Sequence, residues 1–348
     1  MKKPSIYGIH RVLSPNGVLP QAADIIDNTM ICYENEILLD VETLNIDSAS
    51  FTQIKQEANS NKEVMMEMIN SIVSSRGKMQ NPVTGSGGMF LGRVKEIGAK
   101  LTTDLKVGDK VASLVSLSLT PLKINKIKSI DMKKDQVDID GQAILFESGI
   151  YAKIPSDLPS NIVLSALDVA GAPAQVEKLV KPGDHVLILG ASGKSGLLCS
   201  YQAKKSSGDN GFVIGVINDL SQKPDLESLH VCDEIILADA RNPVDVYEKV
   251  LKANKGELVD VCINVVNVQN TEMTSILPTK DSGIVYFFSM ATSFTKAALG
   301  AEGIKKECTM MIGNGYTSGH AELTLNILRE SKPVYKIFEK RYGKEENI

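Results

Sequence analysis

The chain has 348 residues, more than one hydrophobic core usually holds, which suggests two domains. With 43% hydrophobic and 23% charged residues, it has the composition of an ordinary globular protein. A formal charge of −4 and a pI near 5.7 argue against a nucleic-acid-binding surface. No apolar run reaches the ~18 residues of a membrane span, and the N-terminal lysines precede no apolar core of a signal peptide.

The five cysteines indicate a reducing environment. They are odd in number and include no C-x-x-C pair, which argues against a disulfide framework and against a structural zinc site. We therefore expect free thiols and a cytoplasmic location.

The first 159 residues have the pattern of a β domain. Residues 36–44 alternate in polarity like a strand, and residues 62–73 have the spacing of a helix. Between residues 81 and 155, short apolar runs are separated by glycine-rich turns, with little helix. This pattern predicts a small β barrel.

From residue 160 the pattern changes to alternating helices and strands. Residues 160–180 predict a helix, and strands and helices then alternate up to residue 289. The stretch from residue 320 to 343 predicts an amphipathic helix and a closing segment. Alternation of this kind predicts an α/β domain whose parallel sheet is covered on both faces.

A glycine-rich turn lies at the centre of this second region. In VLILGASGKSG, residues 186–196, a buried strand ends at glycines and a helix follows, as a dinucleotide-binding turn requires. A phosphate-binding P-loop would need glycine where Ile188 stands. Ser192 departs from G-x-G-x-x-G, and glycines that serve packing alone remain an alternative. The candidate cofactor-binding residues of the turn are Gly190, Ala191, Ser192, Gly193, Lys194, Ser195 and Gly196.

Polar residues after the next strands extend this candidate cofactor site. Asn218 and Asp219 follow the strand at residues 212–217, about 20 residues past the turn, where an acid would hold a ribose hydroxyl. No arginine follows closely enough to hold a 2′-phosphate, which favours NAD over NADP. Asn264, Asn267 and Ser289 end or follow later strands, at the sheet edge where ligands of open α/β folds bind.

Several stretches together resemble the medium-chain dehydrogenase/reductase superfamily. They are EILLDVETLNIDSAS, LKVGDKVASL, the glycine-rich turn and LNILRESKPV. The resemblance implies an α/β fold with an N-terminal GroES-like β-barrel domain, residues 1–159 and 318–348, and a Rossmann domain with a doubly wound parallel sheet, residues 160–317. Zinc-dependent members carry metal ligands where this chain has Ile46, Ser86, Gly87 and Val169, so no metal is expected.

Finer similarity points to a branch of the superfamily that oxidises amines. HRVLSPNGVLPQAA, NPVTGSGGMFLGRV, LVSLSLTPL and LDVAGAPAQ resemble this branch. The resemblance implies NAD as cofactor, a small diamino acid as substrate and a homodimer. Two alternatives remain open: a zinc-free NADPH-dependent quinone or enoyl reductase, and a non-catalytic dinucleotide-binding protein.

Amine oxidation needs a base and a group that hydrogen-bonds the amine or water. It also needs charged side chains that pair with the substrate's carboxylate and second ammonium group. Asp47, in the loop that resembles the active-site loop, and His10 are the two candidate bases, and Ser86 is the candidate hydrogen-bonding group. The candidate substrate-binding residues are Arg11, Ser48, Arg93 and Asp168. Each has an ordinary alternative role in a turn, at a helix end or on a solvated surface.

Overall fold

The N-terminal half folds around an antiparallel sheet. The computed structural model describes residues 4–343, which divide into a unit of residues 4–168 with 342–343 and a unit of residues 169–341. The strands of the first unit are β1 (Val12–Ser14), β2 (Ile25–Ile26), β3 (Glu36–Asn45), β4 (Met89–Ile97), β5 (Lys110–Ser113), β6 (Leu122–Asp131), β7 (Gln136–Phe146) and β8 (Tyr151–Lys153). Six of them form one sheet in the order β6-β7-β3-β4-β5-β8, in which every pairing is antiparallel.

Three helices complete this unit: α1 (Ser48–Glu57), α2 (Lys62–Arg76) and α3 (Ser160–Leu167). The buried side chains of α1 and α2, such as Phe51 and Ile69, join one core with Leu39 and Leu44 of β3. This shared burial stabilises the segment that follows β3, because α1 begins only three residues after the strand ends.

The second unit is a parallel sheet with helical connections. Its strands are β9 (His185–Leu189), β10 (Phe212–Ile217), β11 (Glu234–Leu237), β12 (Val259–Asn264), β13 (Thr279–Phe287) and β14 (Thr309–Ile312). Its helices are α4 (Gly171–Leu179), α5 (Lys194–Ser207), α6 (Lys223–Glu227), α7 (Pro243–Ala253), α8 (Glu272–Ile276), α9 (Phe294–Gly303), α10 (His320–Glu330) and α11 (Lys332–Tyr342). The strand order β11-β10-β9-β12-β13-β14, parallel throughout, is that of a Rossmann domain. The predicted fold class is confirmed.

Two predicted helical stretches are each divided in the structure. The helix predicted at residues 160–180 is interrupted between Leu167 and Gly171, because Pro173 has no N–H and is accommodated in the first turn of a new helix. The C-terminal stretch likewise contains two helices, separated at Ser331, and Pro333 lies in the first turn of the second.

The observed division between the units also differs from the predicted domain boundaries, because residues 160–168 belong to the first unit and residues 318–341 to the second. Residues 169–341, including all of α10, form one compact unit with the parallel sheet. The Thr324 hydroxyl of α10 donates to the Ala170 carbonyl, with an oxygen–oxygen distance of 3.4 Å. The predicted domain division had grouped residues 318–348 with the β domain.

All five cysteines are free thiols. Cys199 and Cys262 are completely buried, and burial raises the pKa of both thiols. Burial also raises the pKa of Cys32 to about 11 and that of Cys232 to about 12. No helix among residues 4–343 is both long and apolar enough to cross a membrane.

Candidate active site

The glycine-rich turn connects β9 to α5 at the carboxyl edge of the parallel sheet. Gly190 has a φ of +86°, a left-handed conformation that favours glycine. A Cβ at Gly196 would lie 2.0 Å from the Gly190 carbonyl oxygen, so only glycine allows α5 to approach the turn this closely. Gly193 has an ordinary φ of −70°, and a Cβ there would contact only the Gly190 oxygen, at 3.4 Å. Backbone conformation thus favours glycine at position 190, and packing requires it at position 196.

The N-terminus of α5 is suited to an anion. Gly193 caps this helix and offers no side-chain hydrogen bond to the first N–H groups. Side chains perform that role at other helices, for example Asp47 at α1, Asn61 at α2 and Asn242 at α7. Uncapped N–H groups and the positive end of the helix dipole form a phosphate-binding site in dinucleotide-binding folds. The residues present therefore fit a dinucleotide.

Four further hydrogen bonds hold the turn in place. The N–H groups of Gly190 and Ala191 both donate to the Val216 carbonyl of β10, each at 3.0 Å. The Ser192 hydroxyl hydrogen-bonds to the Gln222 side chain. Ser192 also receives a hydrogen bond at its carbonyl from Arg341, with a nitrogen–oxygen distance of 2.8 Å. The structure thus brings together the turn and the segment after β10.

Asn218 and Asp219 lie immediately after β10 and are exposed. The Asp219 Oδ1 accepts a hydrogen bond from the Ser221 N–H at 2.8 Å, and this bond lowers the pKa of the carboxyl group. Lys194 and Ser195, at the start of α5, are half-buried. Asn267 is exposed in the segment after β12. These side chains are accessible at the sheet edge that the sequence predicted.

Asn264 and Ser289 are instead engaged within the protein. Asn264 is fully buried, and its amide nitrogen donates to the hydroxyls of Thr271 and Ser275, both at 2.9 Å. The Ser289 hydroxyl accepts the Ala291 N–H at 3.1 Å and so shapes the segment after β13. Both side chains support the sheet edge, and we do not retain Asn264 as a direct cofactor ligand.

Asp47 lies in the first unit, between β3 and α1. Its Oδ1 caps α1 by accepting the Ser50 N–H at 3.0 Å. Its Oδ2 is buried and has no hydrogen-bond partner in the part of the chain that the structure describes. A buried carboxylate oxygen without a partner is costly. This atom is therefore suited to accept a proton or a hydrogen bond from a ligand.

The segment that carries Ser86 lies against this position. Ser50 and Thr84 share a hydrogen bond between their hydroxyls, with an oxygen–oxygen distance of 2.6 Å. Gly88 has a φ of +93°, and a Cβ there would lie 2.7 Å from the Asp47 nitrogen. Ser86 is half-buried, and its hydroxyl makes no hydrogen bond within residues 4–343. The structure thus brings Asp47 near the segment that carries Ser86.

Three predicted substrate ligands have other roles or positions. The Ser48 hydroxyl, on the first residue of α1, donates to Asp135 at 3.0 Å. Arg93 is largely exposed on β4 and pairs with Glu42, with a nitrogen–oxygen distance of 2.9 Å. Asp168 is the C-cap of α3 and is half-buried. Because the Arg93 guanidinium lies on the solvated surface of a strand, we do not retain Arg93 as a ligand for the substrate carboxylate.

Arg11 is completely buried and fully hydrogen-bonded. Two of its N–H groups donate to the Glu36 carboxylate, at 2.7 and 2.6 Å, in a bidentate pair. The remaining N–H groups donate to the backbone carbonyls of Asp27, Thr29 and Ile31. All five donors are used, so none is left for a substrate carboxylate.

His10 belongs to the same buried network. Its Nε2 lies 2.8 Å from the Glu36 carboxylate, and its Nδ1 accepts the Ser5 N–H at 3.0 Å. Glu36 begins β3 and Asn45 ends it, so the 10-residue strand separates this network from the Asp47 end by roughly 30 Å. Both ring nitrogens of His10 already have hydrogen-bond partners, and His10 lies too far from Asp47 for the two side chains to act on one substrate. We therefore retain Asp47 and drop His10 as the candidate base.

We predict that Glu36→Gln destabilises the protein by about 3 kcal/mol or more, because it removes the bidentate partner of the buried Arg11 charge and leaves only the Asp27 carboxylate, 3.6 Å away. Burial raises the pKa of Glu36, but hydrogen bonds from Arg11 and His10 outweigh it, so the pKa lies below its ordinary value of 4.5. The carboxylate's contribution is therefore complete above about pH 4.5 and is lost as the pH falls through the lowered pKa. Urea unfolding at neutral and acidic pH measures both effects.

The matched control is Glu42→Gln, which removes an exposed partner of Arg93 and is expected to cost less than about 1 kcal/mol. Equal losses in both variants would contradict the structural role assigned to the buried network.

Sequence reasoning missed several residues near these positions. Asn45 is buried beside Asp47, and its Nδ2 has no hydrogen-bond partner among the described residues. A polar residue ending an apolar strand could have drawn attention to it. Gln222 and Arg341 reach Ser192 from distant parts of the sequence, which no local pattern indicates. Within residues 4–343, no group of three or more His, Cys, Asp or Glu side chains could hold a metal ion.

Comparison with known proteins identifies the family. Residues 10–155 match the family model of the L-erythro-3,5-diaminohexanoate dehydrogenase N-terminal domain. An L-erythro-3,5-diaminohexanoate dehydrogenase of Acetoanaerobium sticklandii is 59% identical over 338 residues, 97% of this chain and 98% of the relative. The protein of the same name from Fusobacterium nucleatum subsp. nucleatum is 58% identical over 344 residues, 98% of this chain and 100% of the relative. The chain belongs to the L-erythro-3,5-diaminohexanoate dehydrogenase family.

Several solved structures share the fold of this chain at low sequence identity. The CurK enoyl reductase is similar with a TM-score of 0.58 at 16% identity, covering 92% of this chain and 86% of its own. A quinone oxidoreductase from Coxiella burnetii has a TM-score of 0.57 at 18% identity, covering 93% of both chains. A mycobacterial protein complexed with NADPH has a TM-score of 0.58 at 15% identity, covering 95% and 96%. At such low identities these structures show only the fold of this chain. Its membership of a dehydrogenase family shows that the protein is an oxidoreductase.

Proposed function

We propose that this protein oxidises L-erythro-3,5-diaminohexanoate at its 3-amine with NAD, giving 5-amino-3-oxohexanoate and ammonia, in lysine fermentation. The observation that carries the proposal is the identity of 59% with a relative of that name over nearly the whole chain. The buried, unpaired Asp47 Oδ2 supports it, because an amine substrate needs an acceptor for its protons.

The glycine-rich turn is the proposed NAD site. The uncapped N–H groups at the start of α5 bind the pyrophosphate, with Lys194 and Ser195 beside it. Asp219 and Asn218 hold the adenosine ribose, and Asn267 and the segment after Ser289 complete the sheet edge. Bound NAD supplies the hydride acceptor.

The proposed amine site consists of Asp47 and Ser86. Hydride can leave the carbon only when the amine is neutral, so Asp47 accepts a proton from the ammonium group. Loss of hydride gives an iminium, and water must then add to its carbon before ammonia leaves. The Ser86 hydroxyl hydrogen-bonds the amine or this water, and Asp168 remains the candidate for contact with the second ammonium. The Ser48 hydroxyl donates to Asp135 instead, so Ser48 is not retained as a substrate ligand.

We expect NAD to support turnover with a kcat/KM about tenfold or more above that of NADP, because the Asp219 carboxylate repels a 2′-phosphate. No arginine lies between Asp219 and Arg241, and Arg241 forms an ion pair with Asp239. Initial rates with purified protein, L-erythro-3,5-diaminohexanoate and either cofactor test both the reaction and the preference.

Formation of 5-amino-3-oxohexanoate and ammonia with NAD is the expected result. Equal kcat/KM values for the two cofactors would contradict the role of Asp219. Reduction of quinones or enoyl compounds by NADPH, without amine oxidation, would favour the reductase alternative. NAD binding without any turnover would favour a non-catalytic protein.

We further propose a homodimer that forms through the edge strand β14 and works in the cytoplasm. Met310 and Ile312 of this strand expose apolar side chains to solvent. An exposed apolar edge strand is a surface that a second copy can cover. The five free thiols are consistent with a reducing compartment.

A further inference from the structure

We propose that Arg341, near the end of α11, is a positioning residue for the cofactor turn. The inference rests on the proposed function, because it takes the glycine-rich turn as the NAD site. Arg341 lies 149 positions from Ser192 in the sequence, yet it donates a hydrogen bond to the Ser192 carbonyl at 2.8 Å. It acts through the backbone of the turn.

An ion pair holds the guanidinium in this orientation. The Nη1 of Arg341 donates to Ser192, while its Nη2 donates to the Asp225 carboxylate of α6 at 2.9 Å. The other Asp225 oxygen accepts from Lys340 at 3.2 Å. The pKa of Asp225 is lowered mainly by the hydrogen bond from Arg341 and also by Lys340, so the carboxylate stays charged at neutral pH. The pair is partly buried, where charge-assisted hydrogen bonds are stronger than on an open surface.

The contact acts on the peptide group between Ser192 and Gly193, the N-cap of α5. Because the peptide bond is planar, fixing the Ser192 carbonyl also fixes the direction of the Gly193 N–H. That N–H donates to the Gly190 carbonyl at 3.1 Å and closes the turn. The Ser192 hydroxyl is held separately by Gln222. The turn therefore has its phosphate-binding shape before any ligand arrives.

Preorganisation of this kind affects cofactor binding more than hydride transfer. Without Arg341, the free turn samples other conformations, and cofactor binding must restore the productive one. Once the cofactor is bound, the reacting atoms lie in the same arrangement. We therefore expect a change in the KM for NAD and in the Kd for NADH, with kcat retained.

The test compares Arg341→Gln with Lys340→Gln in the full-length protein. Arg341→Gln is expected to raise the Kd for NADH, measured by fluorescence titration, about tenfold or more, with a matching rise in the KM for NAD. Lys340→Gln removes the other cation from Asp225 but leaves the Ser192 contact, so its Kd stays at the wild-type value. Arg341→Lys keeps the charge and is expected to restore part of the affinity.

Thermal unfolding of each variant shows whether it is folded. If Arg341→Gln fails to fold, Asp225→Asn provides the second test. This substitution removes the charge that orients the Arg341 guanidinium but keeps the guanidinium itself, so we expect a smaller rise in the Kd for NADH. An unchanged Kd in folded Arg341→Gln, or an equal rise in Lys340→Gln, would overturn the inference. Wild-type protein that binds no nicotinamide cofactor would contradict the proposed function itself, which separates the two failures.

Discussion

Asp47→Asn is expected to lower the turnover of L-erythro-3,5-diaminohexanoate by about 10²–10⁴-fold, the usual contribution of a positioned base. Asparagine caps a helix as well as aspartate does, so α1 keeps the Ser50 contact at its N-terminus. What the substitution removes is the charge and basicity of the buried Oδ2. Initial rates of NADH formation, with NADH binding measured by fluorescence, separate chemistry from cofactor binding.

Ser48→Ala is the matched control for this experiment. Ser48 adjoins Asp47 and its hydroxyl bonds only to Asp135 among the described residues, so its removal tests local packing without removing the carboxylate. We expect a much smaller effect on turnover. If Asp47→Asn turns over substrate at the wild-type rate, Asp47 serves only as a helix cap and not as a base. If turnover, NADH binding and thermal stability are all lost together, the substitution has disrupted folding rather than the chemical step.

Gly196→Ala is expected to abolish measurable NADH binding and to destabilise the protein by about 1–3 kcal/mol, the cost of overpacking a closely packed site. Its Cβ would lie 2.0 Å from the Gly190 oxygen and 2.7 Å from the backbone of Ala191. Since backbone atoms cannot rotate away, α5 must move from the turn, and its N–H groups then move away from the proposed pyrophosphate position. Fluorescence titration and urea unfolding measure the two effects.

Gly193→Ala is the control, because a Cβ at this position meets only the Gly190 oxygen at 3.4 Å and the backbone φ of −70° suits any residue. Its free energy of unfolding is expected to stay close to that of the wild type. Equal destabilisation by the two substitutions would contradict the packing role of Gly196.

The fold could be predicted because its main signals are local. The strand, glycine turn and helix around Gly190 lie within a dozen consecutive residues, and the buried strands of the parallel sheet are nearly continuous apolar runs. The divided helices were missed because spacing alone does not show where a chain turns. Pro173 and Pro333 were the available signals, since each fits best in the first turn of a helix.

The candidate site could be predicted only in part. Resemblance to a family motif pointed to Asp47 and Ser86 as candidates, and the pairing of β3 with β4 brings their segments together. His10 and Arg11 looked equally suitable, because sequence shows a side chain's chemistry and not its partners. Their partner Glu36 is a charged residue at the start of an apolar strand, and nothing local reveals that it is buried.

The burial of the thiols has a consequence for the protein's chemical durability. The thiolate is the form that attacks alkylating agents and oxidants. With a pKa of about 11, only about 10⁻⁴ of Cys32 is ionised at pH 7, and its Sγ also donates to the Glu36 carbonyl at 3.3 Å. Cys199 and Cys262 are shielded from reagents altogether. Burial thus keeps these three thiols in the protonated form that reacts slowly, although none of them is paired in a disulfide.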